Sequence, residues 1–334
     1  MNGAEKHVRT VLGDVPSGQL GVCYAHEHLV IDGGVAKMIN PEISLQRVDD
    51  AVDELGPCVA AGLGAVVDAM PADAGRNVAK LAAISRRSGV HVVAATGLHH
   101  ARYYGERHWG ELLEPPEMAE LFAGELEHGI DAHDLNGPVL RRTPHRAGVV
   151  KVAGSAGGPS ARDRRVFEAA AIAVAGVGAA VLTHCEGGTG AEAQLRLLDD
   201  LGVPLDRVIL SHTDKVVDRG YHRELLATGA YVVYDQGIRS PTDTARLVRW
   251  MVEDGHERQL LLGTDGARRS LWTVLGGSPG LAALRTHLGK RLADELGPAV
   301  MERIWVANPA AALELRPSTA GAHEASTPTG RRRQ

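Results

Sequence analysis

Two histidines in a His-x-His pair, His26 and His28, and two isolated ones, His184 and His212, follow or close short apolar runs, as does Asp265. Lys151 lies inside another such run. Imidazole and carboxylate are the donors preferred by zinc and similar borderline divalent ions, and a set of this kind leaves a coordination position open for water. Such an arrangement would carry out metal-assisted hydrolysis. Lys151 is the odd member, because an unpaired ammonium among apolar residues is costly. It becomes sensible if it is deprotonated or converted to an anion. A lone histidine at a strand end is ordinarily a satisfied polar residue, so the weight rests on the whole set and its order.

The neighbours of these residues have plainer readings. Glu27 falls on the opposite strand face from His26 and His28, because side chains alternate with period two, and reads as a structural carboxylate. Cys185 reads as a packing residue. Asp68 suits either a partner to a histidine or a plain polar contact. The stretch Glu186-Gly187-Gly188-Thr189-Gly190 lacks the lysine of a phosphate-binding loop, and reads as the opening of a helix beside His184.

Eight β-branched or apolar runs can position the set: Val22 to His26, Ala65 to Ala69, His91 to Thr96, Gly148 to Val152, Ala179 to Thr183, Arg207 to Ser211, Ala230 to Tyr234 and Gln259 to Gly263. Amphipathic stretches lie between them: Arg164 to Ala175, Ala191 to Leu201, Tyr221 to Thr228, and Thr242 to Val252 after Ser240-Pro241. Alternation of this kind predicts an α/β chain, a single-domain (β/α)8 TIM barrel over residues 1–315 with a disordered tail over 316–334. A doubly wound sheet would place a glycine-rich phosphate turn after its first strand, where this chain has His26-Glu27-His28. In a barrel all strand C-termini open on one face, so ligands far apart in sequence meet there. The long connection from Gly97 to Ala147 reads as a lid or insertion over the mouth.

Composition narrows the function classes. The 334 residues carry a formal charge of −5 with 44% hydrophobic and 23% charged residues, ordinary for a globular protein. Net acidity without a dense basic stripe argues against a nucleic-acid surface, the terminal Arg331-Arg332-Arg333 aside. With no apolar stretch of membrane-spanning length, no membrane role is expected. Three scattered cysteines, Cys23, Cys58 and Cys185, suit a reducing cytoplasm. The 40 glycines, about one residue in eight, cluster after the strands, where backbone must turn sharply near a site.

The segments Ala25-His26-Glu27-His28-Leu29, Gly148-Val149-Val150-Lys151-Val152-Ala153, Leu182-Thr183-His184, Ile209-Leu210-Ser211-His212-Thr213-Asp214 and Leu262-Gly263-Thr264-Asp265, with a closing Asn308-Pro309-Ala310, resemble the phosphotriesterase family of the amidohydrolase superfamily. The resemblance implies two divalent ions, zinc first with manganese or cobalt as alternatives, bridged by a carboxylated Lys151. It implies His26, His28 and Asp265 on the buried ion and His184 and His212 on the exposed one. A bridging hydroxide would attack and Asp265 would shuttle its proton. Homodimers are common in the family.

The reaction implied is hydrolysis of an ester bond in a small-molecule substrate, and a lactone is the leading choice. An amidase of an N-acylated small acid, a phosphotriesterase or aryl ester hydrolase, and a catalytically silent metal-binding barrel are the alternatives. With only two Phe, and with His99, His100, Arg102, Tyr103, Tyr104, Asp235, Gln236, Arg239, Arg268 and Arg269 expected at the mouth, a polar or anionic lactone, phosphorylated or carboxylated, is favoured. Arg268 corresponds to an arginine with which relatives grip phosphate, and Arg239, Tyr234 and His99 are the other expected substrate contacts. Salt bridges to loop acids are an equal alternative for both arginines.

Overall fold

The computed structural model describes residues 6–316. An antiparallel hairpin, β1 (His7–Thr10) and β2 (Gly13–Pro16), comes first. Eight parallel strands follow: β3 (Val22–Glu27), β4 (Leu63–Asp68), β5 (His91–Gly97), β6 (Val149–Gly154), β7 (Ala180–Cys185), β8 (Val208–Ser211), β9 (Tyr231–Tyr234) and β10 (Leu260–Leu262). Each pairs with its neighbours in sequence. All eight expected strands are present, and the hairpin was not foreseen.

The sheet closes where β10 meets β3. Thr264 and Asp265 donate their backbone N–H groups to the His26 carbonyl at 3.2 and 3.0 Å. Glycine permits this approach, since a Cβ at Gly263 would lie 2.7 Å from the same oxygen. The Glu27 carboxylate, fully buried, accepts from Thr264 N at 2.7 Å and from the Thr264 hydroxyl, so the first and last strands are also tied by a side chain. Glu27 is thus the structural carboxylate expected, and burial pushes its carboxyl up to about 8 against the pull of those Thr264 bonds.

Strand alternation sorts the side chains. Ala25, Val67, Val93, Val149, Leu182, Ile209, Val233 and Leu261 fill the barrel interior with Val8, Leu20 and Leu313, which plug its N-terminal end. Tyr24, Val66, Val92, Val150, Val152, Leu210 and Val232 face the helices. Lys151, between Val150 and Val152, therefore points inward, and is 1% exposed. Tyr234, one residue after inward Val233, points outward.

The helices Ala161–Val177, Ala191–Asp200, Arg219–Ala227 and Pro241–Glu253 match the amphipathic stretches. The connection after β5 corrects the lid expectation. Its helix Pro115–Glu127 buries Met118, Phe122 and Leu126 at a spacing of four, packs against helix Ala161–Val177, and is an ordinary outer-layer helix. Only the first part of that connection reaches the mouth. Asn308 donates to the carbonyls of Glu257 and Leu260, both at 2.8 Å, and so fixes the start of β10.

The expected tail lies outside the described residues from 317 onward. Arg316, at the start of that span, is bound to the barrel, with its N–H on the Gly178 carbonyl at 3.0 Å and its guanidinium 2.7 Å from Asp206. Among the described residues no helix is long and apolar enough to cross a membrane. The three cysteines are unpaired and buried.

Candidate metal centre

A register shift in β3 between Tyr24 and Glu27 sets Ala25 and His26 together opposite Val67, so that His26 also faces the barrel axis, and His28 follows it on the same side. Lys151 rises from β6, His184 from β7, His212 just after β8, and Asp265 after β10. All six line one cavity of about 680 Å³ at the C-terminal end of the barrel, together with His99, Arg102, Tyr103, Lys215, Arg239 and Arg268. His26 lies with its ring centroid 5.4 Å from that of His28 and 4.9 Å from that of His212, and His184 is 4.4 Å from His212. Asp265 Oδ1 stands 3.3 Å from His28 Nε2 and 3.9 Å from His26 Nε2. Residues that span 240 positions of sequence thus converge within touching distance.

Two of them hold unusual backbone. His212 has φ 68° and Asp265 φ 45°, a region that non-glycine residues seldom occupy and that concentrates at functional sites. The turns they make redirect both side chains into the cavity as soon as their strands end.

One carboxylate orients two of the imidazoles. Asp235, fully buried after β9, has Oδ2 2.9 Å from His26 Nδ1 and Oδ1 3.0 Å from His212 Nδ1. Burial opposes its ionisation, yet the two histidines hold its carboxyl well below the usual range. As an ionised acceptor it receives a hydrogen bond from the Nδ1–H of each ring and leaves each Nε2 with a free lone pair facing the cavity, which is the state a metal needs. Sequence reading placed Asp235 at the mouth without this role. Its signal was an acid one residue beyond a strand of the set.

The electrostatics fit a cation. Burial and the neighbouring Lys151 push His26 down to about 3, and burial with its histidine neighbours holds His184 well below its ordinary value. Both rings are neutral near pH 7, as metal ligands must be. Burial likewise brings Lys151 down to about 8 despite Asp265 and Asp235, and among the described residues its Nζ finds only the Ser211 hydroxyl, at 3.5 Å. The imidazole nitrogen His28 Nδ1 is buried without a hydrogen-bond partner. Donor atoms of His26, His212 and Asp265 all lie within 4.8 Å of one another. These neutral rings, the carboxylate and the unsatisfied nitrogen fit divalent metal.

The expected substrate contacts divide. Tyr234 is corrected: it faces the helix layer, fully buried, with its hydroxyl 2.9 Å from His222 Nδ1, because the strand's phase turns it away from the cavity. Arg239 lines the cavity but is engaged, donating to Asp265 Oδ2 at 3.1 Å, to the Asp265 and Asp235 carbonyls at 2.9 Å, and to Gln236. Arg268 lines it too, is exposed, and its side chain has no hydrogen bond or ion pair among the described residues. Lys215, which sequence reading passed over, also lines the cavity, is exposed, and has a side chain with no hydrogen bond or ion pair among the described residues. His99 lines the cavity with its ring 4.8 Å from His184 and 4.5 Å from Tyr103.

The remaining neighbours settle simply. Asp68 accepts from the N–H groups of Leu29 and Met70 at 2.7 and 3.1 Å, fixing the turn that follows His28. Cys185 packs in the core, its thiol pushed up by burial to about 12. Glu186, read as part of a helix opening, reaches back to His184 Nε2 at 3.1 Å and to Arg102 at 2.9 Å.

Comparison with known proteins accords with this geometry. The model of the phosphotriesterase family matches residues 6–313. A phospho-furanose lactonase of Mycoplasmopsis agalactiae is 31% identical over 238 residues, 69% of this chain and 67% of its own length. The crystal structure of an amidohydrolase from Mycoplasma synoviae has a TM-score of 0.90 at 26% identity, covering 94% of this chain and 93% of that one. That of a lactonase from Listeria monocytogenes has a TM-score of 0.85 at 25% identity, covering 92% and 98%.

Proposed function

The chain belongs to the phosphotriesterase family, and from that premise we propose that it is a metal-dependent lactonase opening a small, sugar-derived lactone that carries a phosphate or carboxylate. The observation that carries the substrate class is the pair of uncommitted cations, Arg268 and Lys215, on the rim of the cavity that holds the histidine cluster. An anionic group on the substrate would meet them without having to break an existing ion pair. The printed names of the lactonase relatives favour the same chemistry.

His26, His28 and Asp265 would hold one divalent ion, His184 and His212 a second, and a carboxylated Lys151 both, with zinc the metal best suited to this donor set. Bound there, such ions would acidify a water and polarise the ester carbonyl. Conversion of Lys151 to a carbamate would remove a buried cation, and burial already favours the free amine that the conversion requires.

The chain's own groups then do the following. Asp265, held well below its ordinary range by His28 and the other histidines although burial opposes it, is a carboxylate at working pH. It accepts the proton of the attacking water and returns it to the ring oxygen when the acyl C–O bond breaks. Arg239 fixes the rotamer of Asp265. His99 and Tyr103 line the cavity, where a sugar hydroxyl can find a partner, and Ile31, Met70 and Leu271 add apolar lining. The unpaired cysteines support the reducing compartment read from sequence.

The direct test is a panel of sugar lactones, each with and without phosphate, offered to zinc- and manganese-loaded enzyme. Preferred turnover of the phosphorylated or carboxylated members is expected. Turnover confined to neutral lactones would remove the anionic-substrate reading, and turnover of amides alone would remove the lactonase.

A further inference from the structure

A second group of metal-ligand atoms sits above the first. His100 Nε2 and His184 Nε2 are each 3.1 Å from the same oxygen of Glu186, Oε2, and the donor atoms of the three residues all lie within 4.8 Å of one another. The His100 side chain is only 8% exposed, and its Nε2, although 3.1 Å from Glu186 Oε2, is buried with no hydrogen-bond partner among the described residues. Its position is fixed by the ring contacts with His99 and His184, at 5.0 Å each. Loop packing explains why His100 is buried, but not why its unsatisfied nitrogen lies beside a carboxylate that two other groups already share.

We propose that His100, His184 and Glu186 form a third divalent-cation site at the cavity mouth, occupied at excess metal and inhibitory when occupied. Two imidazoles and one carboxylate are a set that zinc accepts, with water completing its coordination. His184 is the shared element. An ion at this site draws on the nitrogen that Glu186 holds, and so competes for the ring with the inner pair. Its neighbours His99, Arg102 and Tyr103 line the cavity, so an ion here also narrows the approach to the inner ligands. Arg102 is the natural antagonist. Its guanidinium is 2.9 Å from Glu186 Oε2 and the side chain is 54% exposed, so it occupies the carboxylate when metal is scarce and can swing into water when metal is abundant.

The experiment is zinc binding by equilibrium dialysis with metal analysis, run beside initial rates, on the full chain and three variants. The tight ions and basal turnover report the inner pair and the function proposed above; the weaker equivalent and the loss of rate at high zinc report this site. The wild type should bind one further zinc more weakly than the tight ones and lose activity as it fills. His100→Phe, which keeps the ring volume and removes the nitrogen, should weaken that equivalent by tenfold or more, within the range of about 10–100-fold typical of disturbed metal shells, with the tight ions retained. His100→Gln should weaken it likewise, guarding against a packing artefact of Phe. Arg102→Ala should tighten it, a change that a purely structural loop would not produce. Binding of no weaker equivalent, or inhibition by zinc that is unchanged in both His100 variants, would overturn the site. Absence of tight ions with the weaker one present would overturn the inner pair instead.

Discussion

Arg239 donates to Oδ2 of Asp265 at 3.1 Å, while a second nitrogen of the same guanidinium holds the Asp265 carbonyl at 2.9 Å. One side chain therefore fixes both the backbone and the carboxylate of a residue whose φ of 45° is unusual. An arginine clamped in this way is a positioning group, and its effect should fall on turnover more than on binding. Arg239→Ala is expected to lower kcat about tenfold or more with little change in KM for an anionic lactone. Steady-state kinetics check this. A rise in KM with kcat intact would return Arg239 to the substrate.

Asp265→Asn keeps the shape and removes the proton acceptor. Turnover should fall by about 10²–10⁴-fold, the usual contribution of a positioned acid–base group, while the melting temperature moves little. A rate within a few fold of wild type would end its assignment as proton shuttle.

Asp235 joins His26 to His212, so its loss loosens ligands of both proposed ions at once. Asp235→Asn should weaken metal binding about 10–100-fold, with Asp235→Glu intermediate. Competition with a chelator measures it. Undiminished affinity in the Asn variant would mean that packing alone orients the two rings.

Lys151 gives a pH dependence to the metal-free protein. Burial lowers its folded value from 10.5 to about 8, so the ammonium is disfavoured in the native state. Stability contributed by this group is present above 10.5 and is lost as pH falls through about 8. The span of 10.5 − 8 corresponds to about 3 kcal/mol between the two limits. Lys151→Met should flatten that part of the stability profile in urea titrations of the metal-free protein, and should also lose bound metal and activity together. An unchanged slope between pH 7.5 and 10 would show that other groups produce it.

Gly263 lets β10 approach β3. A Cβ would meet the His26 carbonyl at 2.7 Å, backbone that cannot yield cheaply. Gly263→Ala should destabilise the fold by about 1–3 kcal/mol, and should disturb metal binding through His26. Chemical denaturation and metal analysis of the same variant read both effects.

The barrel and its ligands were legible because both depend on residue types at strand ends. His26, His28, His184, His212 and Asp265 stand where strands stop, and strand phase alone turned Lys151 inward. The same phase, misjudged by one residue, put Tyr234 at the mouth when its inward neighbours are Val233 and Asp235. The paired state of Arg239 was not legible, since it depends on a loop geometry that brings residues 239 and 265 together. The helix Pro115–Glu127 was set over the mouth with the rest of the connection from Gly97 to Ala147, because its own sequence does not say which surface its apolar stripe meets. The hairpin β1 and β2 escaped notice as two strands of four residues each, with Val8 its deepest apolar anchor. Glu186 was read for its neighbouring glycines, which hid its contact with His184.

The central claim, a metal-dependent lactonase that grips an anionic substrate, rests on Arg268 being free beside the ligand cluster. Its most direct measurement is kcat/KM of zinc-loaded wild type and Arg268→Ala on one sugar lactone with and without its phosphate. The account predicts that the wild type prefers the phosphorylated lactone and that the variant loses about tenfold or more on it, the scale of a charge-assisted contact, with the neutral lactone little affected. Equal losses on both substrates, or no hydrolysis of either by folded, metal-loaded enzyme, would contradict it.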